Sequence, residues 1–376
     1  MPKLKEINIF HFKGIQKMEY HPKQINLLIG KNNTGKTTLL SAINCLFSRD
    51  ISPDSFESPE YEININSKIA RISSGDHDIT IYRDIVDIDS KVKNEIIQEV
   101  NKKIKKIFSK ELDDNKTDDL CNSIFNNFRF LTLIKNHKHV EVFPYSKNYK
   151  KNRIQNLESL KKYFPDVDRR GLIHLLFEFS SIEFNLSSST QKNPKKIKVV
   201  SIYHENKLDF SFHENSDNIL KVEGIIKENN IIKNFERLTE DGVLLNEGEK
   251  KIKYLPYAYY GDGFKSLLTI ITKLIEAKNG ILLIEEIENH LHPGYITILG
   301  DILFKLSNEY KVQVFMTTHS FDLIKEVLLC GKNNKMGEKF LISKFVLDDG
   351  KISRYDYSLE QALKISDNFA LDLRGV

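Results

Sequence analysis

The pattern of apolar and polar residues predicts a parallel sheet. Mainly apolar runs at 25–29 and 281–284 have the length of strands buried on both faces, and a third such run lies at 312–316. Apolar residues recur at helical spacing after the first run, as far as Phe47, and again over 267–275. We therefore expect an α/β fold in which helices cover a mixed or parallel sheet.

The pattern changes between residues 88 and 240, which predicts a lobe inserted between two halves of the α/β domain, 1–87 and 241–376. Apolar residues over 92–107 recur at helical spacing with lysines on other faces, as in an amphipathic helix. Short alternating runs over 199–222 predict strands. The inserted lobe is therefore expected to be α+β.

Shorter elements complete the prediction. A turn at Lys13-Gly14 separates two strands that precede the first buried run. After His319 the chain has room for a helix, a hairpin and a final helix, which we expect to form a small cap. The additional strands are predicted at 5–12, 15–20, 61–66, 68–72, 78–83, 340–347 and 351–357, and the additional helices near 160–164, at 172–177, at 321–329 and from 359.

The composition is that of an ordinary globular protein. Hydrophobic residues make up 40% and charged residues 29% of the 376 positions. The chain has no apolar run of 18 residues and no signal-peptide core, so we expect a cytoplasmic protein with no membrane partner. Cys45, Cys121 and Cys330 are too few and too scattered for a disulfide framework or a zinc site, and we expect them to pack as small apolar residues.

The clearest chemical signal is Gly-x-x-x-x-Gly-Lys-Thr at 30–37, between the first buried run and a helix. Gly30 and Gly35 permit backbone conformations in which successive N–H groups surround phosphate oxygens at the positive end of the helix. Lys36 supplies charge for the β- and γ-phosphates, and the Thr37 hydroxyl is placed to bind Mg²⁺. The motif predicts a site for ATP and Mg²⁺ formed by Gly30, Asn32, Asn33, Thr34, Gly35, Lys36, Thr37 and Thr38.

Two glutamates follow the second buried run, at the edge of the sheet where α/β proteins bind ligands. Glu285 would hold Mg²⁺ directly or through water. Glu286 would polarise the water that attacks the γ-phosphate. This pair is expected on the same sheet as the phosphate loop, because a Walker-type strand accompanies such loops.

These stretches resemble ABC-type ATPases of the RecF/SMC/OLD-like class. The resemblance rests on the segment HFKGI at 11–15, on the phosphate loop, and on ILLIEEIENHLHP at 281–293, which is similar to a "DEPE..LHP" stretch. Glu285 stands where the family usually has aspartate, and its extra methylene changes the metal geometry. The order of the motifs also resembles that of small standalone AAA/ABC-like ATPases of phage-defence systems.

The resemblance assigns two further residues. His319, in the TTHS segment after the third buried run, corresponds to the switch histidine near the γ-phosphate. Gly263 corresponds to the glycine of the ABC signature motif, although the usual serine is missing from the surrounding sequence GDGFK. In the family the signature helix completes the nucleotide site of a second copy. Gln155 is a candidate for the Q-loop glutamine by its position alone, and the resemblance places His290 and His292, with Glu288, in the loop after the catalytic glutamate.

The function implied is an ATPase that forms a homodimer or higher oligomer on ATP and drives or gates a partner, such as an effector protein, in anti-phage defence or DNA repair. Lys36, Glu286 and His319 would be its catalytic residues. Basic runs at 102–106 and 147–153, and a third at 192–198, could bind DNA phosphates or be solvated faces of the lobe, and the net charge of +4 does not decide between them.

Two alternatives stay open at this point. The protein could be an ATP-gated scaffold that does not hydrolyse ATP, because Glu285 and the missing signature serine depart from the family pattern. It could also be a nucleic-acid processing enzyme with a site in the lobe, although residues 88–240 hold no paired acidic metal constellation. A Toprim nuclease domain, which OLD-family nucleases carry, does not fit in the chain after His319.

Overall fold

The computed structural model describes residues 3–47, 69–82, 88–108, 114–127, 129–136, 138–145, 161–165, 182–187, 194, 196–202, 216–248, 251–289, 291 and 293–374. The chain divides into two compact units. Unit 1 consists of residues 1–7, 19–49 and 196–376, and unit 2 consists of 8–18 and 50–195. The predicted strand at 61–66, the predicted helix at 172–177 and the basic run at 147–153 lie outside the described residues.

The described strands, in chain order, are β1 Ile7–Phe12, β2 Ile15–Tyr20, β3 Ile25–Ile29, β4 Ile69–Ser74, β5 His77–Tyr82, β6 Arg129–Lys135, β7 His139–Tyr145, β8 Ile182–Asn185, β9 Val199–Ile202, β10 Phe235–Leu238, β11 Gly242–Asn246, β12 Ile252–Pro256, β13 Ile281–Ile284, β14 Gln313–Thr318, β15 Phe340–Asp348 and β16 Lys351–Ser358. The described helices are α1 Lys36–Phe47, α2 Ser90–Phe108, α3 Asp114–Asn127, α4 Ser216–Glu228, α5 Asp262–Glu276, α6 Pro293–Glu309, α7 Phe321–Asn333 and α8 Leu359–Arg374.

Unit 1 is built on a six-stranded sheet in the order β16-β15-β3-β14-β13-β9. The five strands from β15 to β9 are parallel to their neighbours, and β16 pairs with β15 in the antiparallel direction. Every residue of β3, β13 and β14 is buried, because helices cover both faces of a parallel sheet. The prediction of an α/β fold from the three apolar runs is confirmed.

Apolar faces of the helices form the core of unit 1. In α5 the buried residues Leu267, Leu268, Ile271, Leu274 and Ile275 follow a helical period and join one hydrophobic cluster with the central strands. The helices α4, α6, α7 and α8 contribute to the same cluster. Burial of each such side chain stabilises the fold by about 1.5–3 kcal/mol relative to leaving it exposed.

The C-terminal hairpin is an integral part of the central sheet, so the prediction of a small cap is wrong. β15 pairs in parallel with β3, the strand that leads into the phosphate loop, with Phe340 opposite Ile25 and Lys344 opposite Ile29. Phe340, Leu341 and Ile342 are buried. The spacing of apolar residues predicts that these two segments are strands. It does not predict which strand they pair with, because β15 and β3 are more than 300 residues apart in the chain.

The inserted lobe also differs from its expected boundaries, 88 and 240. β9 pairs with β13 in the central sheet of unit 1, and 216–222, predicted as strand, belongs to α4. Val222 and Ile226 of that helix are buried in the core of unit 1. These two side chains recur at helical spacing and form one apolar face of α4. The segment is a helix and not a strand because this face packs onto the core of unit 1.

Unit 2 holds an antiparallel sheet in the order β2-β1-β4-β5-β6-β7-β8 together with α2 and α3. The predicted amphipathic helix is confirmed as α2, whose Ile96, Val100 and Ile104 are buried in a cluster with Val140 and Val142 of β7. Lys13 and Gly14 form the turn between β1 and β2 and both have positive φ, of 42° and 83°. The inserted region is therefore α+β.

The carboxamide of Gln313 joins the N-terminal segment to the central sheet. Its Oε1 accepts hydrogen bonds from the backbone N–H groups of Lys3 (3.0 Å) and Leu4 (2.8 Å). Its Nε2 donates to the carbonyl oxygens of Leu4 (2.9 Å) and Lys23 (2.8 Å). Gln313 is buried at the start of β14, and its two bonds to Leu4 are buried, whereas those to Lys3 and Lys23 are partly buried. The side chain of Gln313 therefore forms hydrogen bonds with four backbone groups.

We predict that Gln313→Ala destabilises the protein by about 2–4 kcal/mol, because several buried backbone groups lose their partners at once. The midpoint of urea unfolding measures this loss. Gln16→Ala, at an exposed position of β2, is the matched control and should cost less than about 0.5 kcal/mol. Equal midpoints for the two variants would contradict the prediction.

Candidate nucleotide site

The phosphate loop between β3 and α1 leaves no room for side chains at its two glycines. Gly30 has φ of +143°, and a Cβ there would lie 2.3 Å from the carbonyl oxygen of Phe345 in β15. Gly35 has φ of +98°, and a Cβ there would lie 2.7 Å from Cδ1 of Ile352 in β16. The loop is therefore shaped by the neighbouring strands as well as by its own sequence.

The remaining loop residues divide into exposed and buried groups. Asn32, Asn33 and Thr37 are exposed, and Asn33 has a positive φ of 60°. Thr34 is buried, and its hydroxyl donates to the carbonyl oxygen of Lys31 at 2.8 Å, which closes the loop on itself. Thr38 is also buried, within α1, so it is less accessible to a ligand than Thr37.

The side chain of Lys36 turns back into the loop. Its Nζ donates to the carbonyl oxygens of Gly30 at 2.8 Å and Lys31 at 2.7 Å. Burial lowers the pKa of Lys36 to about 8, and the carboxylates of Glu286, Glu288 and Glu285 act in the opposite direction. The ammonium group is thus held inside the loop, where it is largely shielded from water.

The two residues predicted to bind Mg²⁺ are in direct contact. The Thr37 hydroxyl donates to Oε1 of Glu285 at 2.7 Å. The backbone N–H of Glu285 donates to the carbonyl oxygen of Ile202 in β9 at 2.9 Å, which fixes the position where β13 ends. The side chain of Glu285 thus reaches Thr37 from the end of β13.

Glu286 and His319 are brought together from the ends of two neighbouring strands. Oε1 of Glu286 lies 3.3 Å from Nε2 of His319, and its Oε2 accepts a hydrogen bond from Nδ2 of Asn289 at 2.9 Å. The backbone N–H of Glu286 donates to the buried Thr317 hydroxyl at 2.8 Å. Glu286 has a positive φ of 46°, a conformation that is uncommon for residues other than glycine.

Glu288 connects the same two loops through the backbone. Its Oε1 accepts hydrogen bonds from the N–H groups of His319 and, at 3.1 Å, Ser320. Ser320 in turn caps α7, because its Oγ accepts from the N–H of Leu323 at 3.2 Å. Sequence reasoning did not find this role, since the spacing to His290 and His292 suggested only a metal-like cluster. Those two histidines lie outside the described residues.

Gly263 is buried in the first turn of α5, after the N-cap residue Gly261. α5 packs against α4, α6 and β9. In the order of the central sheet, β9 is three strands from β3, which corresponds to about 14 Å. Helix α1, which follows the phosphate loop, also contacts β9.

The remaining residues singled out from the sequence are the lysines of α2, Gln155 and the three cysteines. In the basic run of α2, Lys105 pairs with Asp118 at 2.8 Å and Lys102 with Glu99 at 3.5 Å. The candidate Gln155 is outside the described residues. Cys45, Cys121 and Cys330 are buried free thiols, as predicted.

Two negative findings apply to the described part of the chain. Its His, Cys, Asp and Glu side chains include no group of three or more placed to hold a metal ion. None of its helices combines the length and the apolar character needed to cross a bilayer.

Comparison with known protein families gives one match that spans most of the chain. A family model described as "AAA domain, putative AbiEii toxin, Type IV TA system" matches residues 25–324. The match begins at β3 and ends within α7, so it includes the phosphate loop, the two glutamates and His319.

Individual proteins are similar over a comparable length. A Helicobacter pylori protein named "ATP/GTP phosphatase" is 24% identical over 344 residues, which cover 86% of each chain. A Vibrio cholerae protein named "Retron Vc95 probable ATPase" is 24% identical, over 85% of this chain and 70% of its own. A solved SMC head domain from Thermotoga maritima is 10% identical with a TM-score of 0.45, covering 95% of this chain and 99% of its own.

We predict that ATP affinity falls as the pH rises through about 8, the pKa of Lys36, because the charged ammonium that binds phosphate is lost above it. The dissociation constant at pH 9 should be about tenfold higher than at pH 7, measured by calorimetric titration. Lys31→Ala removes a nearby exposed charge and should keep the same pH dependence. A dissociation constant that does not change up to pH 9 would refute this role of Lys36.

We predict different consequences for alanine at the two loop glycines. Gly30→Ala should abolish ATP binding whatever residue stands at 352, because the new Cβ meets a backbone oxygen. Gly35→Ala should be rescued in part by Ile352→Ala, because its Cβ meets the end of a side chain, while the positive φ leaves a remaining loss. Titration with a fluorescent nucleotide compares the four variants with Ile352→Ala alone, and rescue of Gly30→Ala would contradict the assignment.

Proposed function

Since the chain belongs to the AAA-domain family whose model matches it, and is an ATPase of the ABC-like RecF/SMC class, we propose that two copies hydrolyse ATP between them and so drive a partner protein. The class and the α/β fold were expected from the sequence. ATP hydrolysis accords with the names of the two relatives, so the reading as a scaffold that does not hydrolyse ATP is set aside.

The observation that carries the proposal is the meeting of four side chains beside the phosphate loop. Thr37 contacts Glu285, and Glu286 contacts His319, at the carboxyl ends of β3, β13 and β14. Ligands of α/β sheets bind at this edge. The same edge therefore offers groups for the phosphates, for a metal ion and for the attacking water.

Thr37 and Glu285 fit a Mg²⁺ ion that accompanies ATP. A hydroxyl and a carboxylate oxygen, 2.7 Å apart, are hard oxygen ligands of the kind that Mg²⁺ prefers, and these two residues would hold the ion together with water and phosphates. Bound there, Mg²⁺ would neutralise charge that develops on the phosphates.

The protein's own groups have separate tasks. Lys36 exchanges its loop carbonyl partners for phosphate oxygens when ATP binds. Glu286 accepts a proton from, or orients, the attacking water, and Asn289 holds one of its two carboxylate oxygens. His319 contacts the other oxygen and responds to the γ-phosphate. Through this contact, the residue that activates water is coupled to the residue that senses the γ-phosphate.

We infer the need for a second copy from the exposed N-terminus of α5, where Gly263 lies in the first turn. The N-terminus of α5 carries the positive end of a helix dipole, and Gly261 and Asp262 at this end are exposed. Tyr259, just before it, is 77% exposed. We infer that this helix end meets the γ-phosphate held by the phosphate loop of another copy, so that hydrolysis removes the group that joins the two.

The biological setting is inferred from the relatives alone. One of them is named as a retron ATPase, and the family description refers to a toxin–antitoxin system. We propose that the ATP-dependent dimer controls an effector protein in anti-phage defence or works in DNA repair. The lysines of α2 remain candidates for contact with DNA phosphates, although two of them are paired with acidic residues.

We predict that Glu286→Gln lowers the rate of ATP hydrolysis at least about 100-fold and traps the ATP-bound dimer, because the amide cannot accept a proton from water. Light scattering with ATP and Mg²⁺ should then give a stable mass of twice the 43.7 kDa of one chain. Phosphate release is measured in parallel.

Glu338→Gln, at an exposed position on the short turn before β15, is the matched control and should behave like the wild type. Hydrolysis at the normal rate by a protein that stays at the mass of one chain would refute the composite site.

A further inference from the structure

Glu288 lies two residues after Glu286, in the loop after β13, but its side chain binds the loop after the neighbouring strand β14. Its Oε1 accepts the N–H groups of His319 and Ser320, the two residues that join β14 to α7. Hydrogen bonds from backbone N–H groups to a carboxylate are stronger than neutral ones. The negative charge also lies at the N-terminus of α7, where the helix dipole favours an anion.

The second oxygen of the Glu288 carboxylate lacks a hydrogen bond within the described residues. Oε2 of Glu288 is buried and has no hydrogen-bond partner among the described residues. A buried carboxylate oxygen without a partner costs stability, so packing alone does not favour a glutamate at this position. Such a local cost is typical of residues kept for function.

The geometry links this carboxylate to the catalytic pair. The contact of 3.3 Å between Glu286 and His319 requires that the loops after β13 and β14 keep their relative position. Thr317 supplies one link, by accepting the N–H of Glu286. Glu288 supplies the reverse link, from the loop after β13 to the backbone of His319.

We propose that Glu288 is a positioning residue that holds His319 against Glu286 by fixing the backbone at 319 and 320. This inference rests on the proposed roles of Glu286 and His319 in hydrolysis. ATP binding depends on the phosphate loop, and Glu288 affects it only by helping to raise the pKa of Lys36, so the variants are compared at pH 7, below that pKa. Loss of Glu288 should therefore act on the rate of hydrolysis and leave the KM for ATP nearly unchanged.

The test compares three substitutions of Glu288. Glu288→Ala should lower kcat about 10- to 100-fold, since a displacement of about 1 Å at a reacting group can cost 100-fold, with KM within about twofold of the wild type. Glu288→Gln should retain most activity, because its amide oxygen can accept the same two N–H groups. Glu288→Asp should resemble alanine, because its carboxylate is one methylene shorter. A glutamine variant as slow as alanine would overturn the proposal.

A double-mutant cycle separates the roles of the two residues. If Glu288 acts through His319, Glu288→Ala should not slow His319→Ala any further, whereas independent effects would multiply and overturn the inference. Hydrolysis by His319→Ala at the wild-type rate would refute the proposed role of His319 and this inference with it. A slow His319→Ala combined with a normal Glu288→Ala would overturn the inference alone.

Hydrogen exchange supplies a readout that does not depend on activity. The amide of His319 should exchange faster in Glu288→Ala than in Glu288→Gln, because alanine leaves it without an acceptor. The amide of Ser320 should change less, because its N–H also donates to the Thr318 hydroxyl at 3.0 Å. If the alanine variant does not fold, the glutamine and aspartate variants carry the comparison by the same measurements. Equal exchange at the His319 amide in the aspartate variant and the wild type would overturn the proposal.

Discussion

The structure depends on keeping one ammonium group, that of Lys36, in a loop that is nearly closed to water. Burial of a charge is costly, and the loop offsets this cost with two carbonyl oxygens and with three glutamates nearby. Gly30 and Gly35 let the loop pack closely against β15 and β16, and in this conformation the carbonyl oxygens of Gly30 and Lys31 bind the ammonium group. The C-terminal hairpin is thus part of the wall of the nucleotide site, although it lies more than 300 residues away in sequence.

The same edge of the sheet gathers the other reacting groups. Three parallel strands, β3, β14 and β13, are adjacent, so the loops that follow them meet without any need for a long connection. Hydrogen bonds then cross between loops in both directions, from Glu286 to Thr317 and from the backbone of His319 to Glu288. Such reciprocal bonds make the two loops move together, which is the property that a site needs if a γ-phosphate is to change its shape.

Several local features of the site are unfavourable for stability. Glu286 has a positive φ, Lys36 is a buried cation, and one oxygen of Glu288 has no partner among the described residues. The surrounding strands are completely buried and tolerate this strain, because the large apolar core of unit 1 supplies the stability. These unfavourable features lie beside the phosphate loop, although other residues of unit 1, among them Lys311 and Lys335, also have positive φ.

The sequence by itself determined the three buried strands, the phosphate loop, the glutamate pair, His319 and the helix α2, because each of these depends on local spacing that a single segment carries. It did not determine that β15 lies beside β3, that α4 and β9 belong to unit 1, or that Glu288 binds the backbone of His319. Those features depend on pairing and burial between segments far apart in the chain, and only the tertiary structure decides which surfaces meet.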